Sequence, residues 1–343
     1  MTFRRLDLAA PVLVLALVAA GPAGAGTWRV GVNAGDCPGG CNWSCQNVPT
    51  CGDQIAVAML SPEVLPGDTV MVWPGTYGVH SVTMKSGIVL ISAQGPANTI
   101  IQGGRTAEGA ITYVGMDANS AVLGFTFTWD AGENGLGGGI AAYVSSGKIQ
   151  NNVFVSNSAG IGSGLYLQAC DLTLSNNLFV NNSCAAGGGT IAISGGAPTI
   201  RRNTFSGSSA PFGFEGATLY SNGSDFVFDR NIVQGSLGAS AVFCGSGNHP
   251  SLSCNIFWQN ALGAFAGQCV DSVGTSGNVA QDPRFCNPSA RNFGFCADSP
   301  ALTGPCGAIG YASPGGNCPA CIPTAASATM ELATWGRLKA AYR

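Results

Sequence analysis

Ile149-Gln150-Asn151-Asn152-Val153-Phe154 is answered 25 residues later by Leu174-Ser175-Asn176-Asn177-Leu178-Phe179. The phrase returns as Ile200-Arg201-Arg202-Asn203-Thr204-Phe205, Phe228-Asp229-Arg230-Asn231-Ile232-Val233 and Leu252-Ser253-Cys254-Asn255-Ile256-Phe257, at steps of 26, 28 and 24. A weaker copy, Val122-Leu123-Gly124-Phe125-Thr126-Phe127, ends 27 residues before the first. A period in this range marks a stacked-repeat architecture. Each copy pairs two apolar residues five apart and sets an Asn two before the second.

A second short apolar run precedes each copy, usually opened by Gly: Gly139-Ile140-Ala141-Ala142-Tyr143, Gly164-Leu165-Tyr166-Leu167, Gly189-Thr190-Ile191-Ala192-Ile193, Gly216-Ala217-Thr218-Leu219-Tyr220 and Ala241-Val242-Phe243. One repeat therefore holds two or three short strands separated by bends. That is one coil of a parallel β-helix, with equivalent residues about 4.8 Å apart on successive coils. The apolar columns are expected inside. The Asn column is expected at a tight bend, because Asn tolerates the left-handed backbone region, and its side chains can bond along the column. An antiparallel β-sandwich would not require the regular step or the matched Asn.

The composition agrees. The chain has 343 residues, 46% hydrophobic and only 9% charged, with 51 Gly. Many short strands and turns with a Ser-, Thr- and Asn-rich surface fit these values; disorder, which goes with low hydrophobicity and high charge, does not. The net charge of −3 gives no electrostatic case for nucleic acid.

Residues 1–25 read as a secretory leader: Arg4 and Arg5, an apolar run over 8–20, then Ala23-Gly24-Ala25 as a small-residue cleavage site. As a membrane anchor the run is too short, and Asp7 and Pro11 weaken it. The mature chain is expected to start near Gly26, with no transmembrane segment. The 14 cysteines suit an oxidising compartment, so the expected location is secreted: extracellular, cell surface or periplasm. Cys37, Cys41, Cys45 and Cys51 have spacings of three, three and five intervening residues, unlike a paired zinc motif. Cys318-Pro319-Ala320-Cys321 has CxxC spacing but no helix start after it. Disulfide stapling is the expectation for both groups, with the pairing left open.

The expected organisation is a leader over 1–25, a Cys-rich cap over 26–68, a β-helix over 69–311, a linker over 312–330 and a tail over 331–343. Within the cap, Asp53 is placed to cap a short helix over 54–60, which would cover the first coil. In the tail, Thr334 could cap a short helix with Trp335, Leu338 and Tyr342 on one face. The tail resembles a sorting or anchoring element of exported bacterial proteins; the other reading is a helix that docks or frays.

Pro66-Gly67-Asp68-Thr69-Val70-Met71-Val72-Trp73-Pro74-Gly75-Thr76-Tyr77 resembles the opening coil of secreted right-handed β-helix proteins of the pectin-lyase-like superfamily. Gly95-Pro96-Ala97-Asn98-Thr99-Ile100-Ile101 is similar to the next landmark of that pattern. Gln281-Asp282-Pro283-Arg284-Phe285, Asp298-Ser299-Pro300-Ala301 and Gly307-Ala308-Ile309-Gly310 resemble its close. The resemblance covers about 69–311 and implies an all-β, right-handed, single-stranded parallel β-helix. It is weak for activity, since one scaffold carries many functions. It implies that an enzyme of this kind would set carboxylates on neighbouring coils to hold Ca²⁺ beside an Arg or Lys base, or would use two or three close Asp residues.

Aligning the coils puts Arg201 and Asp229 in one column and Arg202 and Arg230 in the next, with Lys148 two residues before the first. One reading of this patch is a site for an anionic sugar or carboxylate. The plainer one is an Arg201–Asp229 ion pair on a solvated face, worth about 0–1 kcal/mol. One carboxylate cannot supply an all-oxygen Ca²⁺ shell. Asp171, Glu215 and Asp225 are expected in loops. His80 and His249 fall in no ligand spacing, and Gly135-Leu136-Gly137-Gly138-Gly139 lacks the Lys of a phosphate loop. Trp129 and Trp258 could be exposed sugar platforms or packing. The leading expectation is an exported, non-catalytic, monomeric β-helix of the surface or matrix that binds glycans, attached through its tail and needing no cofactor. The alternative is a polysaccharide lyase or hydrolase, with Ca²⁺ if a lyase.

Overall fold

A computed structural model describes residues 25–48, 53–78, 81–104, 108–213, 215–269, 272–311 and 318. The leader over 1–24, Cys51, His80, Cys321, most of the linker and the tail over 331–343 lie outside the described residues.

Each coil contributes one strand to each of three sheets. In the first sheet nine strands stack in chain order: Thr27–Val30, Thr69–Val72, Val89–Ser92, Ala121–Leu123, Ser146–Gln150, Asp171–Ser175, Thr199–Arg201, Val227–Asp229 and Ser251–Ser253. The second sheet runs through Thr126–Asp130, Val153–Val155, Leu178–Val180, Thr204–Ser206, Ile232–Gln234 and Ile256–Trp258. The third runs from Val82–Thr83 through Ile140–Tyr143 and Leu165–Gln168 to Phe265–Gly267. Neighbouring strands are parallel, and the register joins equivalent repeat positions: Phe154 to Phe179, Phe179 to Phe205. The fold is a right-handed parallel β-helix of about 8 turns. The segment before residue 69 does more than cap it. Thr27–Val30 is the outermost strand of the first sheet, paired with Thr69–Val72.

The inward columns are apolar. Val122, Ile149, Leu174, Ile200 and Phe228 are fully buried along the first sheet. The rings of Phe127, Phe154, Phe179 and Phe205 stack at centroid distances of 4.9, 4.7 and 4.6 Å along the second. That stack explains why small residues open the third-sheet strands. A Cβ on Gly139 would lie 2.5 Å from the Phe154 ring, and one on Gly164 would lie 3.1 Å from Phe179.

The Asn column differs from expectation in one respect. The left-handed residue of the bend is the one before it: Asn151, Asn176, Arg202, Arg230 and Cys254, with φ of 57, 53, 53, 53 and 57°. The Asn itself points inward and is fully buried. Asn177 Oδ1 accepts from the Asn152 backbone N–H at 3.0 Å and from Asn152 Nδ2 at 3.2 Å. Asn177 Nδ2 donates to the Ile149 carbonyl at 2.8 Å and to Asn203 Oδ1 at 3.0 Å. The same pattern repeats through Asn231 and Asn255 to Asn278. The ladder thus satisfies backbone groups that the bend removes from the sheets. A shorter ladder five residues on joins Asn157 to Asn182, and Asn260 repeats its role on Ser236.

The cap helix Gln54–Leu60 buries Ile55, Ala58 and Met59 over the first coil. Asp53 stands at its N-cap, but its side chain makes no capping bond. At the other end the chain reverses. After Val279–Ala280 it leaves the coil, forms an antiparallel pair of Phe285–Asn287 with Asn292–Phe295, and returns along the outside of the second sheet. Phe285, Phe293, Phe295, Ile309 and Tyr311 cover Val155, Leu178, Val180, Ile232 and Ile256. Burial on both faces accounts for uninterrupted runs such as Leu178-Phe179-Val180.

Disulfides join Cys37–Cys41, Cys244–Cys269, Cys254–Cys306 and Cys286–Cys318. Cys45 and Cys296 are also disulfide-bonded. Cys37, Cys41 and Cys45 are therefore oxidised rather than held as zinc thiolates, and Cys318 pairs with Cys286 rather than within its CxxC. Cys170 and Cys184 are free and buried, and burial pushes both thiols up, away from nucleophilic use.

Candidate functional site

The register places Arg201 beside Asp229 on the outer face of the first sheet, in a column that reads Leu123, Gln150, Ser175, Arg201, Asp229, Ser253. Arg202 and Arg230 follow at the left-handed bend position. Backbone alignment brings the four together, but their side chains divide into two groups.

Asp229 turns to Arg230. Arg230 Nη1 donates to Asp229 Oδ2 at 2.6 Å, and Ser253 Oγ donates to Oδ1 at 2.9 Å. Arg230 Nε donates to the Cys306 carbonyl at 2.9 Å, and the Arg230 carbonyl accepts from Gly310 N at 2.8 Å. The Cys254–Cys306 disulfide fixes the same stretch. The expected Arg201–Asp229 ion pair is not formed. Arg230 and Asp229 instead clamp the returning segment to the coil.

Arg201 and Arg202 are exposed and line a groove of about 410 Å³. Its other lining residues are Gln150, Thr173, Ser175, Asn176, Ala308 and Gly310. The floor is the outer face of three successive coils. The far wall is the returning segment, held by the Arg230 clamp and by a bond from Tyr311 N to Thr204 Oγ1 at 2.9 Å. Lys148 stands next to Thr173 in the register and adds a third cation at the rim. Among the described residues no carboxylate lines the groove. Two exposed guanidiniums among hydroxyls and amides can take a carboxylate or sulfate by charge-assisted, bidentate bonds, while the neutral groups meet sugar hydroxyls.

The other candidates lie elsewhere. Asp171 opens a first-sheet strand, rather than lying in a loop, and accepts from Ala197 N at 2.8 Å. Asp225 pairs with His249 at 3.1 Å on an exposed loop. Trp129 is only 2% exposed and is core, not a sugar platform; Trp258 is half-buried on the outer face of the second sheet. Among the described residues no three His, Cys, Asp or Glu side chains converge on a metal position. Asp229, one rung from Arg201, is already occupied by Arg230 and Ser253, and no carboxylate is among the described lining residues, so the residues present do not fit a Ca²⁺ shell. The groove itself was missed by sequence reasoning, because its wall is supplied by residues about a hundred positions downstream. Among the described residues no helix is long and apolar enough to cross a membrane.

Comparison with known proteins bears on the fold. No curated protein sequence matches the chain. Among solved structures, pectate lyase Pel9A is 14% identical, over 76% of this chain and 82% of that one, with a TM-score of 0.34. The A-module of mannuronan C-5 epimerase AlgE6 from Azotobacter vinelandii is 13% identical, over 69% and 97%, with a TM-score of 0.24. At these scores neither likeness carries an argument about activity. The family described as the right handed beta helix region matches residues 113–285, half of the chain and the whole run of regular coils. The parallel three-sheet register and this match together make the chain a member of the right-handed β-helix family.

Proposed function

We propose that the protein is an exported, non-catalytic β-helix that binds an acidic glycan in the groove beside Arg201 and Arg202. The observation that carries the reading is the groove's lining among the described residues: two guanidiniums, hydroxyls and amides, and no carboxylate. Such a surface recognises a uronate or sulfated sugar and lacks the acid–base pair that chain cleavage requires. The groove follows the coil axis over three rungs, so a linear chain can lie along it. The oxidised cysteines support an extracellular setting.

The test incubates the protein with polyuronates, sulfated glycans and neutral glucans. Binding is read by calorimetry, and cleavage by unsaturated ends in the ultraviolet and by new reducing ends. Retention of the acidic polymers alone, weakened by salt and by Arg201→Gln or Arg202→Asn, with no new ends, supports the reading. Turnover of any polymer that is lost in Arg202→Asn makes the protein a lyase or hydrolase instead. Failure to bind any acidic polymer removes the groove as a glycan site.

A further inference from the structure

Asp68 is a carboxylate in an unusual position. It is 5% exposed, and it has no cationic partner among the described residues. Oδ2 accepts from Trp28 Nε1 at 2.8 Å and from Leu65 N at 2.9 Å. Oδ1 accepts from a single group, the backbone nitrogen of Gly26, at 2.5 Å. Neutral donors hold this carboxylate as an anion, and a cation at Oδ1 would add a charge-assisted bond to them.

Gly26 is where such a charge can arise. It follows Ala23-Gly24-Ala25, the small-residue end of a leader with two arginines and an apolar run. Ala25 is exposed, so the bond after it is open to a protease. Gly26 is held on its other side, where its carbonyl accepts from Thr69 N at 2.9 Å. A Cβ on Gly26 would sit 3.3 Å from Asp68 Oδ1 and 3.4 Å from Trp28 Nε1, so the seat suits a residue with no side chain.

We propose that the Ala25–Gly26 bond is a processing site and that Asp68 is the receptor for the chain end it creates. A leader-removing protease adds water across the amide. The C–N bond breaks, Ala25 leaves as a carboxylate, and the Gly26 nitrogen takes up protons and becomes an ammonium. That ammonium already lies against Asp68 Oδ1. The neutral hydrogen bond becomes a part-buried ion pair, with Trp28 and Leu65 holding the second oxygen. Processing thereby locks the outermost strand, Thr27–Val30, onto Thr69–Val72, and closes the apolar end of the helix.

The full-length chain is expressed in an exporting host, and the N-terminus of the released protein is read by intact mass and sequencing. A start at Gly26 is expected; a start at any other residue overturns the proposal. Two chains are then prepared to begin at Gly26 or at Ala25, each with Asp68 or with Asp68→Asn. With Asp68, the α-amine of the Gly26 chain should acylate at pH 7 roughly tenfold more slowly than that of the Ala25 chain, because a partnered ammonium holds its proton. Its Tm should be higher by about 2–4 °C. Both differences should vanish in Asp68→Asn. Equal acylation and equal Tm for the two starts would show that Asp68 receives no charged chain end. The Ala25 chain keeps every packed residue, so the comparison stands even if Asp68→Asn does not fold.

Discussion

Asp229 forms its ion pair with Arg230, the next residue in the chain, at 2.6 Å, and leaves Arg201, its partner in the sheet register, unpaired. The charged patch is therefore two devices: a clamp for the returning segment, and a free pair of cations facing the groove.

Separating them is a mutational matter. Arg230→Asn keeps a residue that tolerates φ of 53° but removes the bonds to Asp229 and Cys306. Unfolding in urea should show a loss of about 1–2 kcal/mol. Arg201→Gln should leave stability within about 0.5 kcal/mol, as expected for an exposed side chain with no partner. Its effect should fall on acidic-glycan affinity, by roughly tenfold for one lost charge-assisted contact.

Neutralising Asp229 should act in the opposite direction on binding. It lies one rung from Arg201 and partly offsets its field. Asp229→Asn should tighten binding of a polyuronate modestly at low salt, and the gain should fade as ionic strength rises. Calorimetry at two salt concentrations checks this; weaker binding at both would mean that Asp229 serves the groove through the clamp on its wall, or by touching the glycan, more than it opposes Arg201.

The Asn ladder should be costly to interrupt. Asn203 receives the Asn177 N–H at 2.9 Å and donates to Leu174, Arg201 and Asn231. Asn203→Ala leaves several buried groups unpaired and should cost about 2–4 kcal/mol by denaturant unfolding. Phe179→Ala, two positions beyond the ladder in the preceding coil, should cost about 3–5 kcal/mol through the cavity it opens in the ring stack.

Reduction offers a way to move the groove wall. Cys254 and Cys306 are 52 residues apart, and a loop of that size implies about 4 kcal/mol of stabilisation in the chain-entropy picture. Cys306→Ser should raise hydrogen exchange over residues 300–311 and weaken glycan binding, with the coils upstream unchanged.

Asp68 also sets an acid limit. Burial pushes its carboxyl up, but the bonds from Leu65, Gly26 and Trp28 outweigh it and hold it below the ordinary value of 3.8. A carboxyl lowered in the folded state contributes stability that is present above the unfolded value and lost as pH falls through the folded one. Acid unfolding should therefore steepen below about pH 4, and Asp68→Asn should flatten that region of the profile.

The sequence carried the coil, its period and its inward columns, because an apolar residue at a fixed repeat position has one place to go. The same repeat placed Arg201 and Asp229 in register. What it did not carry depended on contacts outside the repeat. The Asn was legible as a column, yet the left-handed angle belongs to its predecessor, and only the bonds from Asn177 to Ile149 and Asn203 explain why. The repeat pairs Asp229 with Arg201, and it holds no sign of the clamp, because Cys306 lies 76 residues from Arg230. Trp129 alternates onto the same inward face as Phe127, two residues before it, and joins the interior core; a single Trp in a weak first copy of the repeat does not declare that face.

The returning segment has a consequence for how this molecule could evolve. Solenoids commonly grow or shrink by duplicating or deleting a rung. Here Cys306 must still meet Cys254, and Tyr311 must still reach Thr204, after the chain has doubled back over the second sheet. An extra rung inserted between residues 204 and 254 would pull these two anchors out of step. The strap thus acts as a ruler, and it ties the number of turns near the groove to the site they carry.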